Sequence, residues 1–110
     1  MMKLALSAAA ARLLRSLLAR AGIDRDRILL TEFRSTDWQS LTFMGERHEM
    51  QLRLPGPDAE ALVDRLTTGL ADAEFRIPGQ IVADIGLTRA PISNADGSFS
   101  LHIEALTIVE

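Results

Sequence analysis

Cysteine and tyrosine are absent from this chain of 110 residues, and tryptophan and lysine each occur once. Without cysteine there is no disulfide, no thiol nucleophile and no Cys-based metal site, and the main sequence argument for secretion is gone. Aromatic residues make up 5% of the chain, which leaves few platforms on which bases could stack. No stretch approaches the roughly 18 consecutive apolar residues of a membrane span. A Gly-x-Ser-x-Gly elbow and a glycine-rich phosphate loop are missing too, as are repeats, low-complexity tracts and linkers. The expectation is one domain, residues 1–110, large enough to bury a core, with no metal and no cofactor.

What is present is an ordinary globular mixture, 47% hydrophobic and 25% charged. Eleven of the twelve basic residues are arginine and alanine is frequent, which fits the codons of a high-GC bacterial genome. Charge is uneven. Met1–Arg27 carries Lys3, Arg12, Arg15, Arg20, Arg25 and Arg27 against Asp24 and Asp26, a balance of +4. The remainder stands at −7, giving the net −3. The expectation is a basic helix lying on an acidic body, its own or a protein partner's. The acidic remainder argues against nucleic acid, and attachment to an anionic membrane is the weakest alternative.

Met2–Ala21 reads as a helix. It holds no Gly or Pro, and Leu6, Ala10, Leu13, Leu14, Leu17 and Leu18 share one arc. Gly22 suits the left-handed residue after its end, with Ile23 as the accompanying contact. Lys3 followed by Leu4–Ala11 mimics a signal peptide, but Arg12 closes the run and the amphipathic pattern continues through it. A strand over 28–34 is followed by a turn at Ser35–Asp37. Strands 38–44 and 47–54 then flank Gly45-Glu46, read as a two-residue type II′ hairpin. That register pairs Phe43 with His48, Leu41 with Met50 and Trp38 with Arg53, the last a cation–π contact. Pro55-Gly56-Pro57 ends the strand and opens a helix over 57–71, with Gly69 as a possible terminator. Phe75-Arg76-Ile77 is a short extended piece before the turn Pro78-Gly79.

The longest β signal comes last. Strands 80–92 and 99–109 flank Asn94-Ala95-Asp96-Gly97, a plain turn with only a faint calcium-loop flavour. A four-residue loop pairs Ile92 with Phe99, Arg89 with His102 and Ile85 with Leu106. The apolar face switches sides around Gly86–Thr88 and Ile103–Ala105. Either a bulge rotates the strands, or the hairpin buries opposite faces against two different neighbours. The fold expected is α+β: a mostly antiparallel sheet of about five strands, in the order α-β-β-β-α-β-β, with both helices on one face.

No motif carries a chemistry. Arg47 with His48, and Arg89 with His102, are the candidate ligand-binding residues, since histidine serves as acid, base or ligand. A structural histidine is the plainer reading of each. Val82, Ile85, Leu106 and Ile108 are the candidate interface residues, because apolar surface left on a sheet favours a two-fold dimer. The functional expectation is a soluble, cytoplasmic, non-catalytic homodimer or protein-interaction module. The alternative is a protein that binds or converts a small ligand in a pocket between sheet and helices.

Overall fold

A computed structural model describes residues 6–110. Its first element, α1 (Ala8–Ala21), starts where the Ser7 side chain accepts a hydrogen bond from the Ala10 amide. Residues 2–5 of the expected helix lie outside the described residues. At the other end Gly22 takes a φ of 66°, and Ile23 N–H reaches back to the Leu18 carbonyl. This is the left-handed termination the sequence called for. The second helix, α2 (Ala59–Thr67), is shorter than expected, because the chain turns left-handed at Gly69.

The five strands are β1 (Leu29–Gln39), β2 (Met44–Leu54), β3 (Gln80–Leu87), β4 (Ile92–Ser93) and β5 (Phe99–Val109). They form one antiparallel sheet in the order β1-β2-β5-β3, with β4 joining the same edge of β5 beyond β3. The class is therefore α+β, as expected, with the element order α-β-β-α-β-β-β.

Three boundaries are corrected. Residues 28–44 do not make two strands. Ser35–Asp37 continue β1 instead of turning, and the hairpin turns at Ser40–Phe43, where Ser40 N–H bonds the Phe43 carbonyl. Gly45-Glu46 is no turn. Gly45 lies inside β2, where an added Cβ would sit 1.9 Å from the Thr107 carbonyl oxygen. Glycine is there for a close backbone approach to β5, not for a type II′ loop. In consequence Phe33 faces Met50, Ser35 faces His48 and Trp38 faces Gly45; Trp38 is nowhere near Arg53 in the pairing.

The late hairpin turns where expected, with its register shifted by one residue. Asn94 N–H bonds the Ser98 carbonyl, and Ser93 pairs with Phe99. Strand 80–92 is broken: five steps from Leu87 to Ile92 oppose three from Ile103 to Ser100, so Thr88–Pro91 loops off the sheet. Pro91, which has no N–H to give the ladder, sits in that loop. A bulge at Ala83 turns both Val82 and Ile85 inward. β5 keeps strict alternation, so Leu106 and Ile108 stay on the opposite face. The bulge reading thus holds for β3, while β5 carries apolar residues on both faces.

Met50, Leu52 and Leu54 of β2, Leu101, Ile103 and Ala105 of β5, and Ile85 of β3 form the inner face of the sheet. Leu13, Leu14, Leu17 and Leu18 of α1 and Leu62, Val63 and Leu66 of α2 close the core over it. Each such side chain contributes about 1.5–3 kcal/mol by leaving water. Among the described residues no helix lies on the outer face.

Candidate functional site

His48 lies on the inner face of β2 and is fully buried. Its Nδ1 is 2.6 Å from Ser35 Oγ on β1, and its Nε2 is 2.8 Å from Thr107 Oγ1 on β5. A hydroxyl both donates and accepts, so either neutral tautomer finds partners at both ring nitrogens. Burial pushes the His48 pKa below its ordinary value, with Glu46 pulling weakly the other way. A serine bonded to an imidazole resembles an activated nucleophile, but catalysis also needs a place for substrate. The cleft described below is lined by other residues. The arrangement ties three strands together. Among the described residues no three His, Asp or Glu side chains converge to hold a metal.

His102 lies on the outer face of β5. Its cross-strand neighbour is Gln51, not Arg89. Arg89 is exposed in the loop after β3, and the residue that bonds the His102 carbonyl there is Thr88. Arg47 points away from His48, to the outer face, where it bonds Glu104 at 2.6 Å. The four candidate binding residues are therefore not gathered: the two histidines lie on opposite faces and neither keeps its expected arginine. His102 does line a cleft of about 640 Å³ with Gln51, Thr88, Glu32, Arg34 and Glu49. Its Nδ1 is buried without a partner.

The interface candidates divide in the same way. Ile85 is buried in the core, and Val82 packs against it from the inner face. They are corrected to core residues. Leu106 and Ile108 face outward. Around them lies a surface that the sequence reading missed. One row crosses the whole outer face: Trp38, Gly45, Ile108 and Ile81 are successive cross-strand neighbours on β1, β2, β5 and β3. Ile81 is 48% exposed. Phe43 is 52% and Leu41 fully exposed in the adjoining turn. The available signal was Leu41–Met44, an apolar stretch that the misplaced hairpin had assigned to a strand.

Electrostatically the outer face is settled within the chain. Arg34 pairs with Glu49 at 2.6 Å, beside the Arg47–Glu104 pair, and Glu49 and Glu104 are cross-strand neighbours. The basic helix does lie on its own body, but against carbonyls: Arg12 donates to Pro78, and Arg20 to Leu66 and Thr68. No described helix is long and apolar enough to cross a membrane. Compared with known proteins, the chain matches no family model, no curated protein and no solved structure.

Proposed function

We propose that this protein is a non-catalytic interaction module that buries the apolar end of its outer sheet face against another polypeptide. The observation that carries the reading is the row Trp38–Gly45–Ile108–Ile81 on a face that no helix covers. Contiguous apolar surface of this kind marks contact sites on soluble domains. We place its work in the cytoplasm, where a chain built without disulfides is at no disadvantage. The test uses tagged protein at native level in its host. The wild type should elute from a sizing column well above its 12.1 kDa chain mass. Ile81→Lys with Ile108→Asp should elute as monomer with an unchanged circular dichroism spectrum. Monomeric elution of the wild type would remove the reading.

A second reading rests on the cleft over Gln51 and His102. The Nδ1 of His102 is buried with no hydrogen-bond partner among the described residues, so the polar groups at this cleft are not all used within the chain. If a small molecule co-purifies with the wild type and is retained unchanged by His102→Leu, that reading is lost.

A further inference from the structure

We infer that the polypeptide seated on the outer face is a second copy of this chain, related by a two-fold axis running along the strands between β2 and β5. This rests on the interaction-module reading and specifies its partner. In a two-fold interface each patch must fit its own image: if residue i meets j, then j meets i. Reversed upon itself, the row Trp38–Gly45–Ile108–Ile81 sets Trp38 over Ile81 of the second copy and Ile108 over Gly45. Gly45 thus faces the half-buried Ile108 of the second copy. A two-fold perpendicular to the strands through the centre of the face would instead set this apolar row against Arg53 and Ser100.

The charges allow the same partner. The central arginines and glutamates of the face are paired within the chain, so it presents no strong field of one sign to select an oppositely charged protein. Asp84 of β3, outside those pairs, would come to lie beside β1 of the second copy. That strand carries Arg34, which stays bonded to its own Glu49, and the axis sets Glu49 over Glu104 of the second copy, each carboxylate still held by its arginine. Size agrees as well. Three strands of 11 residues, about 37 Å long, and β3 of 8 residues, about 27 Å, spaced about 4.8 Å apart, offer a face of roughly 650 Å², near the ~800 Å² per partner of a stable complex. A second copy seated in this way fills the cleft over His102, so it and a small ligand there exclude one another.

The absence of cysteine makes the geometry directly testable. Thr36 and Asp84 end the next row, are exposed, and lie over one another across the proposed axis. Thr36→Cys and Asp84→Cys variants would be treated with a bismaleimide spanning about 10 Å, the spacing of packed sheets. They are used singly and as an equimolar mixture, beside sedimentation equilibrium of the unaltered protein. The expected result is a dimer, with the mixed 36–84 cross-link exceeding either homotypic one at least tenfold. A dimer cross-linked mainly 36–36 or 84–84 overturns the placement of the axis. A wild-type monomer at about 100 μM, against a dissociation constant near 1 μM expected of a stable dimer, overturns the second copy. The interaction-module reading then still stands if elution from the host extract responds to Ile81→Lys with Ile108→Asp. A purified dimer indifferent to those changes overturns both.

Discussion

Arg20 and Arg65 cap each other's helices. Arg65, near the end of α2, donates to the Ala21 and Gly22 carbonyls at the end of α1, at 2.8 and 2.7 Å. Arg20, in the last turn of α1, donates to Leu66 and Thr68 at the end of α2. Each guanidinium satisfies carbonyls that a helix end leaves open and sits at the negative pole of its neighbour's dipole. Arg20→Met and Arg65→Met should each cost about 1 kcal/mol in urea unfolding. The double variant should lose less than the sum if the two caps depend on one another.

Burial lowers the His48 pKa, so the unfolded chain binds a proton at a higher pH than the folded one. Stability is then complete above the ordinary value of 6.5, falls as pH drops below it, and levels off beneath the folded-state value. Melting temperatures measured between pH 7.5 and 5 should show this decline, and His48→Gln should flatten it. His48→Leu strips Ser35 and Thr107 of their partner and should cost about 2 kcal/mol at pH 7.5.

Asp96 accepts hydrogen bonds from the Ser98 hydroxyl and amide, and Arg53 lies against it. These hold its carboxyl at about 2, the Ser98 hydroxyl making the largest contribution. Stability tied to this group is present above its ordinary 3.8 and is lost as pH falls toward 2. Carboxyl carbon shifts followed by NMR should give a midpoint near 2 in the wild type and a higher one in Ser98→Ala.

At Gly45 the smallest possible change has a large consequence. The Cβ of Gly45→Ala would collide with the Thr107 backbone, which cannot yield without opening the β2–β5 ladder. A loss of about 3 kcal/mol is expected in chemical denaturation, against less than 1 kcal/mol for Gly86→Ala, where a Cβ meets nothing within 4 Å.

Helix ends were legible because their signals are local. Gly22, Gly69 and the apolar arc of α1 each act within a turn or two of chain. The strands were legible as alternation, but their partners were not. Gly45 carries the same letter whether it closes a hairpin or lets two backbones pass, and only β5, more than 50 residues later, decides between them. The apolar end of the outer face vanished with that choice, since Trp38 had been set opposite Arg53 instead of Gly45. His48 stood out by its residue type, but its surroundings did not. Its hydroxyl partners lie on two other strands, and no spacing in the sequence announces them.

β5 occupies the middle of the sheet yet follows every other strand in the chain. During synthesis β1 and β2 pair as soon as both have left the ribosome, but the far edge of β2 then has no neighbour. Met50, Leu52 and Leu54 wait there beside open amides and carbonyls until β5 slides in between β2 and β3. Through the synthesis of residues 55–98 the nascent protein thus carries a sticky half-sheet that closes only once β5 has emerged. At a translation rate of about 5–20 residues per second, that exposure lasts several seconds for every molecule made. The helices, both complete by then, are the only cover at hand.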